Sequence, residues 1–203
     1  MRFSGTVLAM AMLPLTATPS QAVVFANQVL DFFDSGTGPI AGPYGGTTSP
    51  SNFPVSVPLS VAVDGDANTF LSLPTDSFVT VGFSGAVIID GPGNDIFISE
   101  PGNGLEVASV LVSSDGGSTF ELLGQAFGDT VTELDLATIG FTGTVNAVRI
   151  VGLDNGGSSP GFDVAFVQGL EGSVTVIPVP ASVTLLLFGV AGLVTLKRRA
   201  PQT

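Results

Sequence analysis

The residues that could do chemistry in this chain are nearly all carboxylates. Its 203 residues include 17 Asp and Glu but no His and no Cys. Without those two residue types, neither a Ser-His-Asp or Cys-His nucleophilic site nor a zinc site of the usual kind can be built. Two kinds of carboxylate chemistry remain: an acid pair of the glycoside hydrolase type, or a calcium ion held by oxygen ligands.

The charge of the chain is concentrated in its central part. All 17 acidic residues lie between Asp31 and Glu171, where the single base is Arg149, so this part carries a formal net charge of −16. Such a charge repels nucleic acid and attracts divalent cations or basic partners. It also keeps a Gly-rich domain soluble, which is the ordinary use of surface carboxylates. We predict no nucleic-acid partner.

One loop has the composition of a calcium site. Residues 64–69, Asp-Gly-Asp-Ala-Asn-Thr, place side-chain oxygens at alternating positions around a glycine that permits a tight turn. The alternative is an Asx turn, in which the aspartates accept hydrogen bonds from nearby backbone N–H groups. Residues 90–95 form a second candidate, for which turn chemistry also accounts for the composition.

The central part has the pattern of an all-β fold. Val107, Ser109, Leu111 and Ser113 alternate with Ala108, Val110 and Val112, and turn sequences such as Asp115-Gly116-Gly117 separate short β-rich runs. Strands are predicted within 23–33, 78–83, 86–89, 95–99, 105–113, 119–125, 130–135, 145–151 and 161–170. This density of strands and turns favours an antiparallel β-sandwich or jelly roll over residues 23–176.

Two further expectations concern packing. The Pro/Gly/Ser-rich stretch 35–58 is predicted to be a long loop, in which Tyr44 and Phe53 pack locally or lie exposed. Alternation predicts that most phenylalanines, such as Phe97 and Phe166, belong to the core.

The order of several motifs resembles a galactose-binding-like jelly roll, the fold of discoidin-type and carbohydrate-binding modules. The motifs are residues 64–69, 90–100, 112–120 and 161–165, and the resemblance spans about 61–171. In that fold an Asp-Gly-Asp/Asn-x-x-Thr loop often forms a structural calcium site. Carried over to this sequence, the resemblance implies Asp64, Asp66 and Thr69 as ligands, with Glu171 as the closing carboxylate.

Residues 1–22 have the layout of a secretory signal peptide. Arg2 is followed by the apolar stretch 7–15, and Ser20 and Ala22 are the small residues that a signal peptidase reads. We predict that signal peptidase cleaves after Ala22, so that the mature chain begins at Val23.

The other end has the layout of a membrane anchor. Residues 181–196 carry no charge and reach about 24 Å as a helix, slightly less than a bilayer core. Lys197, Arg198 and Arg199 follow at once, and their side chains can snorkel to the headgroups. Because basic residues stay on the cytoplasmic side, the acidic body is predicted to lie outside.

This tail resembles the PEP-CTERM class of bacterial sorting signals, and more narrowly its VPLPA-type subgroup. The motif consists of Ile177, Pro178, Val179, Pro180 and Ala181, followed by the apolar run and the basic cluster. Val179 stands where the class has Glu, and Ile177 stands where the subgroup has Val. The resemblance implies an exosortase-type enzyme as a partner and a final location at the cell surface or outside the cell, often among exopolysaccharide.

Three functions agree with these features. The first is an exported, non-enzymatic surface or biofilm-matrix protein, held at the inner membrane by its tail and stabilised by calcium. The second is a carbohydrate-binding module that acts on extracellular polysaccharide. The third is a glycoside hydrolase with two carboxyl groups about 5–10 Å apart in a cleft. The absence of His, Cys, Lys and Trp from the body favours the first.

Reversing the charge of the basic tail tests the anchor. Replacement of Lys197, Arg198 and Arg199 by Glu removes both the snorkelling side chains and the orientation signal. We expect loss of membrane retention, measured by fractionation, or an inverted topology, measured by protease protection. Unchanged localisation and processing would contradict this interpretation of the tail.

Overall fold

The computed structural model describes residues 23–102, 106–128 and 131–177 of the chain. The predicted signal peptide, the apolar run 181–196 and the basic cluster lie outside these residues. Within the described ranges, no helix is both long and apolar enough to span a bilayer.

The described part consists of short strands and two 3-10 helices, Leu59–Val63 and Leu136–Ile139. The strands are β1 Val24–Phe25, β2 Gln28–Phe33, β3 Tyr44–Thr48, β4 Ser51–Ser56, β5 Thr69–Leu73, β6 Phe78–Gly82, β7 Ala86–Ile88, β8 Ile96–Ser99, β9 Val107–Ser113, β10 Glu121–Phe127, β11 Thr132–Leu134, β12 Ala147–Gly152, β13 Phe162–Val164, β14 Phe166–Gly169 and β15 Val174–Val176. Each predicted run overlaps at least one of these strands, whereas β3, β4, β5 and β15 were not predicted.

The strands form two layers with antiparallel pairing throughout. One layer is a five-stranded sheet in the order β10-β9-β12-β6-β2. The other combines two four-stranded sheets, β1-β14-β8-β11 and β13-β5-β3-β4, with β7 and β15 paired separately. Only Ala165 separates β13 from β14, so one continuous stretch of chain contributes to both four-stranded sheets.

A single apolar core lies between the layers. Val79 and Val81 of β6 and Val148 and Ile150 of β12 belong to the same buried cluster as residues of the opposite layer, including Ile96, Ile98, Leu71, Leu73, Phe162 and Val167. The core residues of each strand are two positions apart because successive side chains of a strand point to opposite faces. The prediction of an all-β antiparallel sandwich is confirmed.

The predicted turn at residues 115–117 connects β9 to β10. Asp115 accepts hydrogen bonds from the backbone N–H groups of Thr119 and Ser118, both 2.9 Å, and from the Ser113 hydroxyl, 2.7 Å. These donors, led by the Thr119 N–H, lower the pKa of Asp115 to about 2. The carboxylate is therefore ionised throughout the ordinary pH range, and its hydrogen bonds hold the turn in place.

The prediction that 35–58 is a loop is wrong for its second half. β3 and β4 pair as a hairpin, and Tyr44 is buried with 1% of its surface exposed. Pro54 is tolerated because β4 is the edge strand of its sheet, where a missing N–H costs no ladder hydrogen bond. Glycine in β3 also has a reason: a Cβ on Gly45 would lie 2.1 Å from the Phe70 carbonyl oxygen.

The expectation that Phe97 and Phe166 are core residues is also wrong. Their neighbours Ile96, Ile98 and Val167 fill the core, so both phenylalanines lie on the outer face of that sheet. The two rings stack with centroids 5.7 Å apart. Alternation identified the right strands but the wrong face, because both faces of these strands carry large apolar residues.

Arg149, the one base among the described residues, lies on the outer face of the five-stranded sheet. Its guanidinium group lies 4.0 Å from the Phe78 ring centroid and 4.2 Å from that of Phe120. It also forms a 3.0 Å ion pair with Asp31. Because both aromatic faces and a carboxylate already hold this cation, it does not neutralise acids elsewhere in the sandwich.

The Tyr44 hydroxyl provides a test of the β3–β4 hairpin. It donates a hydrogen bond to the Pro160 carbonyl, on a loop far away in sequence. Replacing Tyr44 by Phe keeps the ring but leaves that carbonyl without its donor, so the free energy of unfolding should fall by about 1 kcal/mol. Urea unfolding measures this change. Phe127→Leu, at an exposed position, is the control and should change stability much less; equal effects would contradict the buried role of Tyr44.

Candidate functional site

The candidate site lies on the face of the β13-β5-β3-β4 sheet that points away from the core. Asp163 of β13 is paired with Ser72 of β5. Along both strands, successive side chains point to opposite faces of the sheet. Leu71, Leu73 and Val164 enter the core, so Ser72 and Asp163 point to the opposite face. Phe70 lies on that same face, two residues before Ser72.

Three carboxyl groups meet on this face. Glu100 directly follows β8, Glu106 directly precedes β9, and Asp163 belongs to β13. One oxygen from each residue lies within 4.8 Å of the others. Glu106 is 3% exposed and Asp163 is 6% exposed, so two of the three groups are removed from water. We call Glu100, Glu106 and Asp163 the acidic cluster.

Neighbouring hydroxyl groups hold Asp163 in place. The Ser72 hydroxyl donates to Asp163 Oδ1 at 2.5 Å and lies 2.8 Å from the Ser159 hydroxyl. Tyr44 is buried nearby, and burial, followed by the charges of Asp163, Asp34 and Glu106, raises the pKa of its phenol. Tyr44 therefore stays protonated and serves as a hydrogen-bond donor.

Glu106 is enclosed more tightly and is less well satisfied. Its Oε2 atom is buried and has no hydrogen-bond partner among the described residues. The loop after β12 packs closely against the carboxyl group: a Cβ on Gly157, where φ is +78°, would lie 1.7 Å from Glu106 Oε1. Asp154 of the same loop accepts a 2.6 Å hydrogen bond from the Val107 N–H, which fixes the loop beside Glu106.

Burial and mutual repulsion disfavour ionisation of the cluster. Burial, then the charges of Glu100 and Asp154, raises the pKa of Glu106 to about 8. Burial, then Glu106 and Glu100, raises the pKa of Asp163 to about 9, although the Ser72 hydrogen bond acts in the opposite direction. Both acids are therefore protonated at neutral pH when no metal ion is bound.

A pocket of about 210 Å³ opens beside the cluster. Its lining combines aromatic rings with polar groups and consists of Thr48, Ser51, Phe53, Phe70, Pro101, Gly102 and Asp163. The rings of Phe53 and Phe70 pack edge to face with centroids 5.5 Å apart. Phe70 is buried, whereas Phe53 is only partly buried and presents ring surface to the pocket.

The predicted calcium loop forms Asx turns. Asp64 accepts hydrogen bonds from the Asp66 N–H and the Thr69 hydroxyl, each 2.8 Å, and Asp66 accepts one from the Asn68 N–H at 2.9 Å. Glu171 is exposed, and neither group of clustered acids within the described ranges contains Asp64, Asp66 or Glu171. The structure therefore does not bring the four predicted ligands together as a set, and calcium binding at this loop stays a prediction.

The second calcium candidate contains a buried aspartate. Asp95 is fully buried, and it accepts hydrogen bonds from the Gly91 N–H, 2.8 Å, the Ser173 hydroxyl, 2.5 Å, and the Leu136 N–H, 2.8 Å. It forms an acidic group with Asp90 and Asp135. The protein's own donors thus already satisfy both oxygens of Asp95.

The predicted processing residues lie almost entirely outside the described residues. Ile177 is the exception: it is half exposed, and its N–H donates to the Gly85 carbonyl at 2.8 Å. The rest of the sorting motif (Pro178, Val179, Pro180, Ala181), the basic cluster (Lys197, Arg198, Arg199) and the cleavage residues (Ser20, Ala22) are not among the residues described.

Sequence reasoning did not single out the acidic cluster. Asp163 carries a usable signal, because it stands between the core residues Phe162 and Val164 and must point to the other face of the strand. Nothing comparable marks Glu100 or Glu106, which border strands at positions where surface acids are common. Glu106 is nevertheless buried, with Gly157 of the loop after β12 packed against its carboxyl group.

Comparisons with known proteins give only distant likenesses. No family model matches the chain, and no curated protein matches it. The family 32 carbohydrate-binding module of NanJ from Clostridium perfringens, solved with galactose, is 16% identical, with 55% of this chain and 83% of that chain covered and a TM-score of 0.40. A chitobiase C-terminal domain from Bacteroides fragilis is 17% identical, with 60% and 83% covered and a TM-score of 0.40.

A larger enzyme gives a similar result. A family 89 glycoside hydrolase from Clostridium perfringens is 16% identical over 68% of this chain, with a TM-score of 0.43. The match covers only 15% of that enzyme's chain. Because these TM-scores are only 0.40 to 0.43, we describe the fold by the strand pairing of this chain itself.

The raised pKa values predict an unusual dependence of stability on pH. The folded state keeps protons on Glu106 and Asp163 that the unfolded chain releases above about pH 4, so stability should fall as pH rises towards 8–9. Glu106→Gln resembles the protonated acid and should flatten this fall, measured by melting temperature between pH 5 and 9 in chelator. Asp115→Asn is the control, since that carboxyl titrates near pH 2 and should leave the slope unchanged. Identical slopes for wild type and Glu106→Gln would contradict the assignment.

Proposed function

We propose that this chain is an exported, surface- or matrix-associated protein whose β-sandwich binds carbohydrate in the pocket beside the acidic cluster. One observation carries the proposal. A partly exposed ring, that of Phe53, stands in a concave site next to the hydroxyls of Thr48 and Ser51 and the carboxyl of Asp163. A sugar ring needs this combination, because it has an apolar face for stacking and hydroxyl groups for hydrogen bonds.

The size and charge of the pocket narrow the class of ligand. Its volume of about 210 Å³ is below the roughly 300–1,000 Å³ of pockets for drug-sized molecules, which favours one sugar ring over a long chain segment. Asp163 in the wall, with Glu100 and Glu106 behind it, offers carboxyl groups but no cationic group that could pair with the carboxylate of an acidic sugar. Neutral and amino sugars therefore fit better than uronic acids.

The location outside the cell rests on the two ends of the sequence. The signal-like segment 1–22 and the tail 177–203 support export by signal peptidase and processing by an exosortase-type enzyme. The motif order within 61–171 supports assignment of the sandwich to the galactose-binding-like jelly rolls. In this proposal the tail holds the protein at the inner membrane before it joins the extracellular polysaccharide.

A binding role is favoured over hydrolysis. The two carboxyl groups of a glycoside hydrolase flank the scissile bond, whereas the three carboxyl groups here converge, with one oxygen of each within 4.8 Å of the others. With Glu106 and Asp163 both protonated at neutral pH, this pair also lacks the ionised carboxylate that either mechanism needs. We therefore propose that the protein is not an enzyme.

A glycan array tests the proposal. We expect the protein to bind neutral or amino-sugar glycans, and Phe53→Ala to weaken binding about tenfold, equivalent to ~1.4 kcal/mol, through loss of the stacking surface. Phe127→Ala is the matched control, because Phe127 is 49% exposed and does not line the pocket. Equal binding by wild type and Phe53→Ala would show that the pocket is not the carbohydrate site.

A further inference from the structure

We propose that Glu100, Glu106 and Asp163 bind one divalent cation of the calcium type. Two independent observations lead to this site. Three carboxyl groups converge on one point, and the buried Oε2 atom of Glu106 has no partner among the described residues. The site is separate from the loop 64–69 and does not depend on carbohydrate binding.

The spacing of the oxygens suits a single ion. Calcium lies 2.3–2.6 Å from each oxygen ligand, so two ligands of the same ion are at most about 5 Å apart. One oxygen from each of the three residues lies within 4.8 Å of the others. An ion among them could therefore contact all three carboxyl groups without movement of the strands.

The chemistry of the ligands selects the class of metal. All three are carboxylates, which are hard oxygen ligands, and the chain has no His or Cys to recruit zinc or copper. Three negative charges also balance a doubly charged cation well. Calcium accepts irregular coordination completed by water or backbone carbonyls, whereas magnesium demands a near-ideal octahedral shell.

The unpaired oxygen of Glu106 indicates that a partner is missing from the protein itself. A buried polar atom without a partner costs stability, and the fully buried Asp95, by contrast, has three donors for its two oxygens. A Cβ on residue 157 would collide with Glu106 Oε1, so no larger side chain at position 157 can donate a hydrogen bond to Glu106. A cation would satisfy Oε2 directly.

The local charge balance also requires a cation from solution. The acidic groups around Glu106 are Glu100, Asp163 and Asp154, and Tyr44 stays neutral. Arg149, the only base in the described ranges, is held by Asp31 on the outer face of the other layer. No base among the described residues therefore neutralises the cluster, which favours a cation taken up from solution.

Calcium titration by calorimetry tests the site on the full chain, purified in detergent and freed of metal with chelator. We expect one Ca²⁺ bound at this site and a higher melting temperature in millimolar calcium.

Two variants distinguish this site from the loop 64–69. Glu106→Gln should weaken calcium binding at this site at least tenfold, while its melting temperature in chelator stays equal to or above that of wild type. Asp64→Asn combined with Asp66→Asn is the matched control, with two carboxylates removed elsewhere, and should keep the calcium ion that Glu106→Gln loses. No calcium binding by wild type, or binding lost in the control but kept in Glu106→Gln, would overturn the proposal. If the protein binds calcium but no carbohydrate, the calcium site is supported and only the proposed function fails.

Discussion

The architecture depends on how buried carboxyl groups are neutralised in a fold with almost no bases. Removing an ionised carboxylate from water is costly unless donors or an opposite charge compensate. Among the described residues the only base is Arg149, which lies between two aromatic rings on an outer face and pairs with Asp31. Every buried acid must therefore be satisfied by backbone N–H groups, by hydroxyl groups, by protons or by a bound cation.

Asp95 and the acidic cluster show two different solutions to this constraint. Asp95 connects several parts of one end of the sandwich, because it accepts hydrogen bonds from Gly91, from Leu136 at the start of a 3-10 helix, and from Ser173 before β15. Its donors are complete and its role is structural. Glu106 has an oxygen without a donor and lies against two further acids. That difference separates a stabilising buried acid from one that is available to a ligand.

The position of the cluster links fold and function. A sandwich normally leaves the outer face of each sheet to solvent, but here Glu106 and Asp163 are buried, and Gly157 packs against the Glu106 carboxyl group. The neighbouring pocket is lined by Pro101, Gly102, Phe53 and Asp163, among others. The pocket and the acidic cluster therefore share Asp163, so a change of charge in the cluster changes the wall that a ligand meets.

The sequence by itself determined the residue types and the strand pattern. It excluded His- and Cys-based chemistry, left carboxylates as the only reactive groups, and predicted an all-β sandwich from alternation. It did not reveal β3 and β4, because Gly and Pro favour turns locally, while only the register of the sheet shows that Gly45 must approach Phe70 and that Pro54 lies on an edge. Nor could it show that Glu100, Glu106 and Asp163 meet, because they lie in or next to three different strands and their proximity is set by long-range pairing. Burial, and with it the pKa of each acid, is a property of the assembled layers and covering loops, which no local pattern encodes.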